Sequence, residues 1–167
     1  LDAATGDLVW SYETDDYVQS SPAIAEGVVY VGSADSYVYA LDAATGDLVW
    51  SYDTGDKVFA PPSVAGGLVY VGSFSHHVYA LDAASGDLVW SYDTKSRVYT
   101  KPFVVDGIVY VGTHALDATT GDLIWFYPTY ALVTSSPSVA DGVVYVGSSN
   151  GYIYALDAAT GDLVWSY

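Results

Sequence analysis

The sequence predicts an all-β chain of repeated four-stranded units, and three observations predict it. The string Leu-Asp-Ala-Ala-Thr-Gly-Asp-Leu-Val-Trp-Ser-Tyr occurs identically from residues 1, 41 and 156, with close variants from Leu81 and Leu116. Trp10, Trp50, Trp90, Trp125 and Trp165 are spaced 40, 40, 35 and 40 residues apart, and Pro22, Pro62, Pro102 and Pro137 keep the same rhythm. Short β-branched and aromatic runs alternate with Gly-, Asp- and Asn-containing turns, and no stretch has helical periodicity. Such a period marks stacked supersecondary units, none of which can bury its own faces alone.

The period divides the chain into units at 13–52, 53–92, 93–127 and 128–167, preceded by residues 1–12, a fifth copy of the last strand segment alone. In the first unit the expected strands are Val18–Ala25, Val28–Gly32, Tyr37–Leu41 and Leu48–Tyr52. Glu26-Gly27 turns the first hairpin, as Gly66-Gly67, Asp106-Gly107 and Asp141-Gly142 do in the other units, because such pairs accept the positive φ of a tight hairpin. Ala34-Asp35-Ser36 makes the second turn, and Ser149-Asn150-Gly151 its counterpart in the last unit.

The third turn carries the most specific pattern, Ala40-x-Asp42-x-x-Thr45-Gly46-x-x-x-Trp50. It recurs around Asp82, Gly86 and Trp90, around Asp117, Gly121 and Trp125, and around Asp157, Gly161 and Trp165, while the copy ending at Trp10 lacks only its leading Ala. The Asp can accept bonds from backbone N–H groups two or three residues on, the Gly supplies left-handed geometry, and the Trp offers a large flat ring. This pattern resembles the tryptophan-docking motif of PQQ-like repeat β-propellers. Quinoprotein alcohol dehydrogenases and the non-enzymatic lipoprotein of the outer-membrane β-barrel assembly machinery belong to that family. The resemblance implies four-stranded antiparallel blades, tryptophans packed between neighbouring blades and a ring of about six to eight blades. The motif residues are accordingly expected to be structural.

Four blades and a surplus strand leave several arrangements open. The chain can be part of a larger ring, two chains can share one ring, the surplus strand can pair in trans, since an unpaired edge is a template for another chain, or the four blades can form a ring of their own. The third unit lacks five residues between Gly112 and Ala115 relative to the second, which predicts a shortened blade. Either the deletion (or an incompletely sequenced stretch) is tolerated, or it cuts a notch into a binding surface.

Composition narrows the function. With 167 residues and 51% hydrophobic content the chain can bury a core despite a formal charge of −16. Its longest apolar runs fall far short of the roughly 20 residues that cross a bilayer, so no membrane-spanning helix is expected. Absence of methionine reads as a processed product or fragment, and absence of cysteine removes disulfide and thiolate chemistry. Twenty acidic against four basic residues excludes nucleic acid as a partner, since that affinity rests on Lys and Arg. Ten of the 18 Asp belong to the repeated turn. The remaining acidity suits an extracellular, cell-surface or periplasmic setting, or Ca2+ at acidic loops.

By the family resemblance, a quinoprotein site would need basic residues for a tricarboxylate cofactor, Glu, Asn and Asp ligands for calcium, and a catalytic Asp. One Asn, two Glu and four cationic side chains cannot supply it, so no cofactor and no catalytic constellation are expected. Positions where the repeats disagree are more informative. All cations and histidines (Lys57, His76, His77, Lys95, Arg97, Lys101, His114) fall in units two and three, together with Phe59, Phe74, Tyr99 and Phe103. The candidate binding surface is therefore Phe59, Phe74, His76, His77, Arg97, Tyr99, Lys101, Phe103 and His114.

Each group has a plainer alternative: a solvated turn for His76-His77, compensation of nearby Asp for Lys57, Lys95 and Arg97, and inner-strand packing for Tyr99 and Phe103. The expected function is a non-catalytic scaffold for protein partners, self-association or cell-surface contact. A structural subunit joined by strand exchange and a fragment of a PQQ-dependent dehydrogenase-like protein are the rivals.

Overall fold

The computed structural model describes residues 1–167 and contains sixteen strands in four antiparallel sheets, each with its strands in chain order. Blade 1 is β1 (Ala23–Ala25), β2 (Val28–Gly32), β3 (Tyr37–Asp42) and β4 (Leu48–Asp53). Blade 2 is β5 (Ser63–Ala65), β6 (Leu68–Gly72), β7 (His77–Asp82) and β8 (Leu88–Asp93). Blade 3 is β9 (Phe103–Val105), β10 (Ile108–Val111), β11 (His114–Asp117) and β12 (Leu123–Phe126). Blade 4 is β13 (Ser138–Ala140), β14 (Val143–Gly147), β15 (Ile153–Asp157) and β16 (Leu163–Ser166). The fold is all-β, as the repeat predicts.

Blades cohere through side chains trapped between sheets. Tyr30, Val38, Ala40 and Trp50 of blade 1 pack with Val69, Val71, Tyr79 and Leu81 of blade 2, and equivalent clusters join blades 2 and 3 and blades 3 and 4. The tryptophan makes the key contact. Trp50 Nε1 donates to Ala83 O at 3.0 Å, Trp90 Nε1 to Ala118 O at 3.0 Å and Trp125 Nε1 to Ala158 O at 2.9 Å. The same carbonyls also accept the hydroxyls of Tyr30, Tyr70 and Tyr110.

The receiving turn must end in glycine. Gly86 has φ +78°, and a Cβ there would lie 2.7 Å from Cδ2 of Trp50; Gly121 and Gly161 stand the same way against Trp90 and Trp125. The Asp at the head of each turn holds its shape, for Asp42 Oδ1 accepts from the N–H groups of Thr45 and Ala44, both at 2.8 Å.

Two local differences from the expected strands have physical causes. The first strand spans only Ala23–Ala25 where Val18–Ala25 is expected, and its counterparts are equally short. Directly ahead of the four short strands stand Pro22, Pro62, Pro102 and Pro137, which have no N–H to give a ladder, and in blades 2 and 3 the chain before them is tied to the preceding blade by Val58 N–H to Ser33 O and Val98 N–H to Ser73 O. Residues 1–12, expected as an outer strand, form the Asp2–Asp7 turn but pair with no strand, because no inner strand lies beside them. Trp10 nonetheless docks on blade 1, donating to Ala43 O at 2.9 Å and lying over Gly46.

The blades form an open arc. Trp165 reaches no turn and is 45% exposed, whereas Trp50, Trp90 and Trp125 are each 7% exposed. This difference is testable by chemical denaturation. Trp90→Ala should lower the unfolding free energy by about 3–5 kcal/mol, the usual cost of emptying a packed aromatic site, and Trp165→Ala by less than about 1 kcal/mol.

Candidate functional site

Unit-specific residues meet on the face where the chain crosses from one blade to the next. Phe59 lies in the crossover into blade 2, Phe74 in the β6–β7 turn and Tyr99 in the crossover into blade 3. Their rings form a ladder: Phe59 to Phe74 at 4.9 Å edge-on and Phe74 to Tyr99 at 4.6 Å, with Tyr17 extending it at 5.6 Å from Phe59. Backbone pairing fixes the spacing, because Phe74 N–H donates to Lys57 O at 2.9 Å and Val98 N–H to Ser73 O at 3.1 Å.

Two cations rest on this ladder. Lys57 Nζ lies 5.4 Å from the Tyr17 ring centre and 5.8 Å from that of Phe59, and Arg97 Cζ lies 5.2 Å from that of Phe74. Each such contact contributes about 0.5–1 kcal/mol at an exposed site. The protein's single ion pair joins Lys95 to Asp93 at 2.6 Å. Compensation by a neighbouring Asp therefore describes Lys95, whereas Lys57 and Arg97 engage rings and leave their charge unpaired.

The other candidates separate from this row. Lys101 and Phe103 line a shallow cleft of about 370 Å3 between inner strands, with Ala23, Ala25, Ser63 and Val64. His76 sits in a turn at φ 71°, and its carbonyl accepts from Thr94 N–H and Oγ. Its neighbour His77 places Nδ1 2.8 Å from Ser75 O and stacks on Tyr79. Nowhere do three His, Asp or Glu side chains converge as a metal-ligand set.

The ladder ends at an opening in blade 3. Missing residues between β10 and β11 leave a cavity of about 480 Å3 whose walls include Arg97, Tyr99, His114, Phe126, Tyr130 and Leu132. Thus Arg97, Tyr99 and His114 do come together. Inspection of the sequence misses Phe126, Tyr130 and Leu132, although a signal exists. Phe126 replaces the serine of Ser51 and Ser91, and Pro128, Tyr130, Ala131 and Leu132 stand where unit two has Asp53, Gly55, Asp56 and Lys57. His114 holds the ladder position of Tyr39, Tyr79 and Tyr154, with its ring 4.5 Å from that of Phe126 and 5.9 Å from that of Tyr92. Burial pushes its pKa down to about 4.

Comparison with known proteins accords with this architecture. The profile of the family described as outer membrane protein assembly factor BamB matches residues 1–60, 38–114 and 112–167. The chain belongs to this family of PQQ-like repeat propellers. Among solved structures, BamB from Moraxella catarrhalis is 24% identical with a TM-score of 0.75, over 97% of this chain and 65% of that one. The quinohemoprotein alcohol dehydrogenase ADHIIG from Pseudomonas putida HK5 is 25% identical with a TM-score of 0.77, over 93% of this chain and 34% of that one. A europium-containing methanol dehydrogenase is 19% identical with a TM-score of 0.81, over 96% of this chain and 43% of that one. The chain thus spans less than two thirds of the length of each. Comparison with curated proteins returned no match.

A quinone cofactor with a bound metal ion, as the dehydrogenase members imply, needs converging carboxylates and cations. The residues of these four blades do not fit it, since no acidic cluster converges and the cations outside the one ion pair are divided between the ring ladder (Lys57, Arg97) and the inner cleft (Lys101).

Acid stability follows from two sets of groups. His114 titrates near 4 folded against 6.5 unfolded, so the unfolded state binds more protons between those values. Its contribution is complete above pH 6.5 and is lost as pH falls towards 4, on the order of 2–3 kcal/mol. The turn carboxylates of Asp42, Asp82, Asp117 and Asp157 are held below the usual range by backbone N–H groups, first that of the residue three on and then that two on, so their contribution is lost only below about pH 4. His114→Tyr should flatten the melting temperature between pH 6.5 and 4.5 while leaving the loss below pH 4, as calorimetry across this range would register.

Proposed function

We propose that the chain is a non-catalytic propeller scaffold that binds a protein partner along the Tyr17–Phe59–Phe74–Tyr99 ladder. One observation carries this reading: in a chain of net charge −16, two cations lie unpaired on a half-buried aromatic row whose Tyr17 end is exposed. Such a row offers rigid rings at small entropic cost and a guanidinium suited to bidentate carboxylate contact, the residue types that dominate binding hot spots. The preferred partner segment is acidic and carries aromatic or aliphatic side chains. The surrounding negative field opposes an acidic segment, so binding needs both the two local cations and apolar anchors on the rings to outweigh it.

The family description supports a periplasmic or cell-surface setting at the outer membrane. A dehydrogenase-like activity is disfavoured because the donor set for its cofactor is missing from these blades. A second reading, a subunit whose blade array continues into a neighbouring chain, draws support from the exposed ring of Trp165 and the unpaired segment 1–12. Under it, native mass spectrometry should find dimers or larger particles, and a monomer at all concentrations would dismiss it.

The ladder reading is tested by selection from a random peptide display library against the folded chain. Enriched sequences should combine Asp or Glu with aromatic residues, and the Lys57→Ala/Arg97→Ala double variant should bind them at least about tenfold more weakly, a loss of about 1.4 kcal/mol. Absence of enrichment, or equal binding by the double variant, would refute the reading.

A further inference from the structure

The blade 3 cavity can be compared group by group with the three blades that keep their turn. In those blades the turn between the second and third strands closes on the crossover entering the same blade. Ala34 N–H donates to Tyr17 O at 3.0 Å, Phe74 N–H to Lys57 O at 2.9 Å and Ser149 N–H to Leu132 O at 2.8 Å. Arg97 O, the counterpart in blade 3, accepts no hydrogen bond from the protein.

The crossover leaving the blade is also released. Val58 N–H donates to Ser33 O and Val98 N–H to Ser73 O, whereas Val133 N–H finds no acceptor in the protein. The side chains follow. A Cβ on Gly32 or Gly72 would meet Val58 or Val98 at 2.3 or 2.2 Å, while one on Gly112 would be 3.9 Å from Val133. A third bond varies between the blades: in blade 1 Tyr39 donates to Asp35 Oδ2 and Thr14 O has no donor, whereas blades 2 and 4 fill this acceptor. Tyr79 donates its hydroxyl to Thr54 O at 2.8 Å, and Asn150 Nδ2 donates to Thr129 O at 3.2 Å in blade 4. His114 occupies the tyrosine position in blade 3, and Thr94 O accepts nothing from the protein.

Thr94, Arg97 and Val133 all line the cavity, so its wall presents two vacant acceptors and one vacant donor from the main chain. The rest of the wall has turned apolar where the other crossovers are charged: Pro128, Tyr130, Ala131 and Leu132 replace Asp53, Gly55, Asp56 and Lys57. A tolerated deletion would leave this wall polar and solvated. A volume of about 480 Å3 lies in the range of sites that receive a ligand, about 300–1,000 Å3.

We propose that this cavity is a socket for a hairpin turn of a protein partner, which fills the space left by the shortened Gly112-Thr113 turn of blade 3. The inserted turn donates a backbone N–H to Arg97 O, accepts from Val133 N–H, and carries a tyrosine whose hydroxyl donates to Thr94 O. Tyr99, Phe126 and Leu132 enclose its apolar atoms. The inference deepens the scaffold reading and rests on it for the partner being a protein, but it specifies a different contact from the ladder.

The protein supplies its own probe. A head-to-tail cyclised peptide of residues Gly72–Tyr79, the intact turn of blade 2, should bind the folded chain saturably with a Kd below about 1 mM, as measured by amide shift changes in NMR titration. Ala131→Trp, which fills the cavity from its half-buried rim, and Leu132→Lys, which restores the residue type of Lys57, should each weaken binding at least about tenfold. The same peptide with phenylalanine in place of its tyrosine should bind about threefold or more weakly. Failure to saturate by about 5 mM, or binding by both cavity variants within about threefold of the unaltered chain, would overturn the proposal. Lys57→Ala separates the two readings, because it should weaken ladder peptides and leave the hairpin peptide unaffected. Hairpin failure with ladder binding intact sinks the socket alone.

Discussion

Docking of one tryptophan onto the next blade's turn is the contact on which the rest of this structure depends. A four-stranded blade has two apolar faces and cannot cover either by itself, so each must borrow a surface from its neighbour. The indole covers a large area, and its N–H reaches a turn carbonyl that the neighbouring tyrosine hydroxyl also reaches. That geometry leaves no room for a Cβ in the turn, which is why glycine stands at positions 46, 86, 121 and 161. Aspartates 42, 82, 117 and 157 then hold the turn rigid, and with Asp2 and the second Asp of each turn (7, 47, 87, 122 and 162) ten of the 20 acidic residues belong to this architecture.

Because cohesion rests on a few repeated groups, the remaining positions are free to diverge, and divergence is concentrated in units two to four. Rings at Phe59, Phe74 and Tyr99 are brought into contact by the same crossover hydrogen bonds that space the blades. Cations settle on those rings and not on the abundant carboxylates, which keeps their charge available at the surface. The shortened blade 3 shows how little the docking contact depends on the far end of a blade. Trp90 and Trp125 remain buried on either side of a sheet whose β10–β11 turn is cut to Gly112-Thr113.

Much of this architecture is legible in the sequence, and the reasons are local. Asp42, Gly46 and Trp50 keep their spacing because one turn geometry dictates all three, so the blades can be counted from the motif. The first strand is misjudged because Pro22, which stands inside the expected run, has no N–H to give a ladder, and pairing begins only after it. Phe59, Phe74, Arg97, Tyr99 and His114 are visible as departures from the repeat, but their assembly into a ladder and a cavity wall is tertiary. Lys101 and Phe103 depart equally and yet line the inner cleft, since beyond Tyr99 the chain enters the innermost strand of its blade, β9. Phe126, Tyr130 and Leu132 are overlooked because they lie outside the run of cations and histidines that draws attention to units two and three.

The most direct measurement of the central claim is hydrogen exchange at the five indole N–H groups, followed by NMR under native conditions. If the docked indoles hold the blades together, Trp50, Trp90 and Trp125 exchange only with cooperative opening of the blades, Trp10 exchanges sooner because its segment lacks strand partners, and Trp165 exchanges at the rate of a free indole. Exchange of Trp50, Trp90 or Trp125 as fast as that of Trp165 would contradict this, because the blades would then be held together by something other than the docked tryptophans.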